Sequence, residues 1–383
     1  MPALKSFLSV LSLVGWTVAC AHHGDGAVVP EHKRAELLEK WDQKWAFSGI
    51  ASFAHLRSVK CLVEPDERYD IAIIGAPLHA AVTYRPGARF GPRAIRATSA
   101  RQIPGNSYNV RAGINPDRSW AKIIDCSDIP ITPFDNGLAE RQMYEAFLEL
   151  GSRKVVNVPP KRDKSIGARH PKLVTLGGDH SVGLPALHQI YQKPITVLHF
   201  DIHLDTWDLV RFPAYWQSEQ SRFNHGSFFH TASREGLICN STSAHAGLRT
   251  RLIGVNASDY TKLSPEQGFT RQPVYLSIDI DVLDPATAPG TGIPEPGGWT
   301  TREFTRVLRG LEKLNLVGAD IVEVSPAYDN EGETTALAAA QVVFEVITSL
   351  VKSGVAEDLG RGYARSDGGL AQVRSGQLTK DEL

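Results

Sequence analysis

From Tyr69 onward the chain carries seven short runs that lack polar alternation: Ile71 to Ala76, Ala121 to Ile124, Leu173 to Leu176, Ile195 to Phe200, Ala244 to Val255, Val274 to Ile280 and Val317 to Val324. Successive side chains of a strand point to opposite faces, so a strand exposed on one face has to alternate, and a strand that does not needs apolar cover on both. Helical candidates supply that cover between the runs: Pro92 to Ser99, Leu138 to Ser152, Leu184 to Tyr191, Thr301 to Leu314 and Thr334 to Val351. Strand-helix alternation of this length predicts an α/β fold built on one doubly wound, mostly parallel sheet. Ligands of such sheets bind at the carboxyl ends of the strands. No internal repeat and no linker divides the core.

Three acidic and histidine-bearing motifs sit where that rule places a site. Gly177-Gly178-Asp179-His180-Ser181 follows the run ending at Leu176, Asp201-Ile202-His203-Leu204-Asp205 follows the run ending at Phe200, and Asp279-Ile280-Asp281 closes the run from Val274. If the strand geometry continues, spacings of two and four residues put Asp201, His203 and Asp205 on one side, and Asp279 with Asp281 likewise. A lone Asp-x-Asp is usually a solvated loop and a lone histidine is usually structural. Four carboxylates converging on one edge are different, because without cations they repel. Two imidazoles and four carboxylates suit two bridged ions better than one, and so oxygen-rich a set favours manganese over zinc or copper. Two such ions share a water and lower its pKa, which gives a hydrolase its nucleophile.

Composition closes other classes. With 41 Lys+Arg against 42 Asp+Glu the net charge is −1, which offers no field for nucleic acid, and 42% hydrophobic residues are too many for a disordered chain. Cys20, Cys61, Cys126 and Cys239 show no metal-like spacing, so disulfides are not expected to build the fold.

The two ends read as addresses. Lys5 precedes the apolar run Phe7 to Ala19, which ends in small residues, as a secretory signal peptide over 1–21 does. The run is too short to span a bilayer, and no transmembrane span is expected elsewhere. Its removal would leave three cysteines and at least one unpaired thiol. The chain stops at Lys380-Asp381-Glu382-Leu383, which resembles the endoplasmic-reticulum retrieval signal, so retention in that lumen through the KDEL receptor is expected. Asn240-Ser241-Thr242 and Asn256-Ala257-Ser258 are glycosylation patterns that matter only there. Residues 22–68 are expected to form a helical extension, with an amphipathic helix from Glu31 to Trp45, 69–353 the catalytic domain and 354–383 a flexible tail.

Together the GGDHS and DIHLD stretches, the run Ser277 to Pro296 (SIDIDVLDPATAPGTGIPEP) and Tyr84 to Ile95 (YRPGARFGPRAI) resemble the ureohydrolase family of arginases and agmatinases, in its agmatinase-like, secretory fungal type. The resemblance covers most of Asp70 to Leu350. It implies an arginase-like three-layer α/β/α sandwich, two Mn2+ per subunit, a small guanidino substrate cleaved to urea and an amine, and a homo-oligomer, since relatives commonly form trimers or hexamers. Residue by residue, Asp201 and Asp279 would bridge both ions, His180 and Asp205 would complete one shell, and His203 and Asp281 the other. His225 matches the family's acid/base histidine, and Glu323 the carboxylate that holds the guanidinium. Asp205 would relay a proton to the departing amine. Asp205-Thr206-Trp207-Asp208 looks like the agmatinase type, so agmatine is the expected substrate, with guanidinobutyrate or another guanidino acid next and arginine third.

Two departures keep a non-catalytic lumenal relative as the alternative. Ile202 stands where the family usually carries Ala, and a branched side chain there could displace the ligands beside it. The crossover from Ile253 to Val274 lacks the whole helix that relatives usually insert, which is expected to uncover one face of the sheet.

Overall fold

All seven strands of the sheet run parallel: β1 (Ile71–Ala76), β2 (Ile123–Asp128), β3 (Lys172–Gly177), β4 (Thr196–Phe200), β5 (Ala244–Ala246), β6 (Pro273–Asp279) and β7 (Asn315–Val322), in the order β2-β1-β3-β7-β6-β4-β5. The structure is a computed structural model, and it describes residues 31–33, 35, 50–79, 82–157, 170–188, 194–207, 223–250 and 273–355. The chain divides into two units, Met1–Lys44 and Trp45–Leu383. In the first, the described residues are 31–33 and 35, all helical, which is the start of the predicted Glu31 to Trp45 helix. The signal peptide, the tail after residue 355, Asn256 and the shortened crossover lie outside the described residues.

Neighbouring residues of each strand feed opposite apolar layers, which is why the runs show no alternation. Ile71 and Ile73 join Val174, Leu276 and Ile321 on one face, under α1 (Gly91–Ser99), α5 (Thr301–Gly310) and α6 (Thr334–Lys352). Ala72 and Ile74 join Leu173, Val197 and Val317 on the other, under α2 (Asn136–Gly151), α3 (Gly183–His188) and α4 (Phe228–Arg234). This is the expected three-layer sandwich. Local signals set several helix starts: Asp135 accepts from Leu138 N ahead of α2, and Thr300 with Glu303 forms a reciprocal cap on α5. Helix α6 is the one described helix long and apolar enough to cross a bilayer, but 78% of its apolar window is buried in the sandwich, as in a core helix.

The structure corrects the sequence reading at several points. Of the Ala244 to Val255 run the described part, 244–250, holds three strand residues, and β2 starts two residues later than expected and extends to Asp128. Helix α4 was not expected; at seven residues it is too short for a periodic signal. A disulfide joins Cys61, in a 3-10 turn, to Cys126 in β2 across 65 residues, both side chains buried, so one cross-link does build the fold. Cys239 is the free cysteine among the described residues.

Candidate metal centre and active site

The strand order puts β3, β7, β6 and β4 side by side, and every candidate ligand sits at or just past the carboxyl end of β3, β4 or β6. Pleat alternation is not what turns the ligands inward. At each of these three ends an aspartate accepts a hydrogen bond from the backbone N–H two residues on: Asp179 Oδ1 from Ser181 (3.1 Å), Asp201 Oδ1 from His203 (2.5 Å) and Asp279 Oδ1 from Asp281 (2.8 Å). These Asx turns bend the chain off the strand. Two site residues adopt the left-handed conformation that non-glycine residues rarely hold, Asp205 (φ 53°) and Glu323 (φ 62°). Strain of this kind persists where surrounding structure fixes the side chain.

The ligand atoms converge. His180 Nδ1 lies 3.0 Å from Asp201 Oδ2, 3.0 Å from Asp205 Oδ2 and 3.3 Å from Asp279 Oδ2. On the other side of Asp201, His203 Nδ1 lies 3.2 Å from Asp201 Oδ1 and 3.1 Å from Asp281 Oδ2. Asp201 thus belongs to two ligand groups at once, one with His180, His199 and Asp205, the other with His203 and Asp281. Ile202 is fully buried between two ligands that both point into the centre, so the branched side chain does not displace them. Its carbonyl accepts from Arg249 N and Thr250 N.

Electrostatics shows the frustration of this cluster. Burial, then the charges of Asp281 and Asp201, push Asp279 well above the carboxylate range, and burial with Asp201 lifts Asp281 to about 7. Burial also pushes Asp201 upward, but His199, His180 and His203 outweigh it and hold the group well below its usual value. Burial depresses His203, yet the bonds to Asp201 and Asp281 outweigh it and raise the ring to about 12. His180 Nδ1 and Asp201 Oδ2 face each other while neither makes a hydrogen bond. Divalent cations resolve all of this, since they neutralise the carboxylates and satisfy the orphaned atoms. The donor set therefore fits two bridged ions.

Beyond the ligands, Glu323 follows β7. Its Oε1 accepts from His180 N (2.9 Å) and lies 3.5 Å from His225 Nδ1. A Cβ on Gly292 would come within 2.8 Å of Glu323 Oε2, so a larger residue there would push the carboxylate aside. Burial lowers His225, but the bond to Glu323 outweighs it and raises the ring above its usual value. His225 Nε2 reaches Thr83 Oγ1 at 3.2 Å, and Trp207 stands edge-on to the ring at 5.8 Å. Thr83 and His199 were missed by sequence reasoning. The signal for His199 was present, since it extends the every-other-residue series of Asp201, His203 and Asp205 by one step. Thr83 had none, because its partner is 142 residues away.

Comparison with known proteins agrees with this geometry. The Arginase family model matches residues 69–270 and 255–348. The chain is 41% identical over 400 residues to candidate agmatinase 1 of Schizosaccharomyces pombe, covering 95% of this chain and 99% of the relative. It is 33% identical over 353 residues to an agmatinase of Chromobacterium violaceum, covering 88% and 98%. Among solved structures, proclavaminate amidino hydrolase from Streptomyces clavuligerus superposes with a TM-score of 0.67 at 30% identity, over 81% of this chain and 99% of that one. A hypothetical agmatinase from Burkholderia thailandensis gives 0.65 at 31% identity, over 81% and 92%. With the family matched through both halves of the sheet and agmatinases aligned along nearly their full length, the chain belongs to the arginase family, and the enzyme is a ureohydrolase.

Proposed function

We propose that this ureohydrolase cleaves agmatine to putrescine and urea with two Mn2+ ions, in the lumen of the endoplasmic reticulum, and that it is of the secretory fungal type. The observation that carries the catalytic reading is one hydrogen bond, from His180 N to Glu323 Oε1, which ties the metal ligands to the carboxylate beside them. Glu323 binds the planar guanidinium through paired N–H bonds in a buried pocket, where a permanent cation wants a carboxylate. Bound there, the two ions would supply an acidified water as nucleophile and draw charge from the reacting carbon. Asp205 carries the proton to the departing amine, and His225, at the Thr83 side, exchanges protons with solvent. The oxygen-rich ligand set supports manganese over zinc.

Agmatine is supported by the relatives named agmatinase and by Trp207, which packs on Gly226 beside His225. A second reading, a guanidino acid, is favoured by Arg85, whose guanidinium stands 4.9 Å from the Tyr328 ring and whose carbonyl lies 3.7 Å from the Cβ position of Gly292. Urea release with manganese in excess separates the substrates. A site without partners for an α-carboxylate leaves that charge unpaired, so agmatine is expected to exceed arginine by about two orders of magnitude in kcat/KM, equivalent to roughly 3 kcal/mol. A ratio near one refutes the agmatine reading, and preference for guanidinobutyrate selects the second.

The lumenal reading is supported by the Phe7 to Ala19 run, by the KDEL end and by the Cys61–Cys126 disulfide, a bond that persists in oxidising compartments. Asn240 is exposed in a turn, where its sequon is accessible to a glycan.

A further inference from the structure

Behind the shared carboxylate, β4 and β5 place two more histidines side by side. His199 and His245 are register partners, and their Nδ1 atoms stand 2.8 Å apart. His199 Nε2 lies 3.0 Å from Asp201 Oδ2, and neither atom makes a well-aligned hydrogen bond. The Phe229 ring lies 4.4 Å from the His199 ring and 4.9 Å from that of His245. His199 lies within ligand reach of the first group, but the chemistry proposed above uses neither histidine.

We infer that His245 and His199 form a positioning pair, in which His245 fixes the tautomer of His199 so that His199 turns its Nε2–H toward Asp201 and steadies the carboxylate that both ions would share. A single proton lies between the two Nδ1 atoms. If His199 supplied it, the bare Nε2 would face Asp201 Oδ2, two acceptors 3.0 Å apart. If His245 supplies it, Nε2 of His199 carries a proton toward the carboxylate, and both contacts are attractive. The contact to Asp201 is bent, which leaves Oδ2 a lone pair for an ion that it and His180 Nδ1 would hold. A ligand carboxylate oriented by a hydrogen bond is the general means by which outer groups tune a metal site. His245 touches no ligand, so its effect has to pass through His199.

The inference rests on the two-ion reading, and the test keeps the two apart. Manganese binding to the purified full chain is measured by equilibrium dialysis with elemental analysis, and the coupled ion pair by its electron paramagnetic resonance signal. His245→Phe keeps the ring's bulk without a donor and is expected to bind manganese about 10- to 100-fold more weakly. His245→Asn, whose amide nitrogen falls near the Nδ1 position, is expected to recover affinity to within about threefold, whereas His245→Gln, with its donor one atom further out, is not. Should the Phe variant fail to fold, the Asn and Gln pair carries the same comparison. Wild-type affinity in His245→Phe, or equal losses in the Asn and Gln variants, would overturn the positioning role. A wild-type chain that binds no manganese would overturn the two-ion reading, and the positioning role with it.

Discussion

Reduction of the Cys61–Cys126 disulfide is expected to destabilise the catalytic unit strongly. The bond closes a loop of 65 residues, from the turn ahead of β1 to the outer strand β2. Loop-closure entropy for that length corresponds to about 4 kcal/mol at 25 °C, within the usual range for a native disulfide. Both sulfurs are buried, so alanine substitution would add a packing loss, whereas reduction leaves each side chain in place and isolates the cross-link. The assay is chemical denaturation of the folded chain, oxidised against reduced, followed by far-UV circular dichroism. At roughly 2 °C per kcal/mol for a large domain, the thermal midpoint should also fall by about 8 °C. In cytosolic conditions glutathione would keep the pair reduced, so the same measurement bears on the compartment. Coincident unfolding of the oxidised and reduced chains would refute the entropic argument, and free thiols at both positions in protein from the secretory pathway would refute the bond.

Further outcomes follow from the site. His203→Ala and Asp281→Ala each dismantle only the second ligand group, so bound manganese should fall from two equivalents to about one; full occupancy in either variant at limiting metal would contradict the assignment. Glu323→Gln should weaken agmatine and arginine alike, because it meets the guanidinium they share. Glu323 also raises His225, and a histidine that must be neutral to accept a proton loses function as pH falls through its pKa; the acid limb of kcat/KM should therefore move to lower pH in Glu323→Gln, and an unmoved limb would exclude His225 as its source. Deleting Lys380 to Leu383 should send the chain to the medium, whereas cytosolic fluorescence of an internally tagged chain would refute the secretory reading.

What the sequence determined by itself was local. Buried parallel strands announce themselves as unalternating runs because each strand's own residues meet both helical layers. The candidate ligands His180, Asp201, His203, Asp205, Asp279 and Asp281 could be picked out because each closes or closely follows such a run, and strand ends are where this architecture collects its chemistry. Glu323 and His225 were legible only through the family resemblance, since a single carboxylate or imidazole in a loop carries no pattern of its own.

Only the tertiary structure decided how these segments meet. The order β3-β7-β6-β4 makes neighbours of strands far apart in the chain, and a strand's sequence records its burial but not its partner. The inward turn of the ligands came from Asx hydrogen bonds and from left-handed Asp205 and Glu323, which periodicity cannot express. The tolerance of Ile202, the pairing of His199 with His245 and the Cys61–Cys126 bond likewise depend on what lies across the sheet or at its edge. Packing and long-range hydrogen bonds are properties of pairs of segments, and a single chain read along its length shows only one member of each pair at a time.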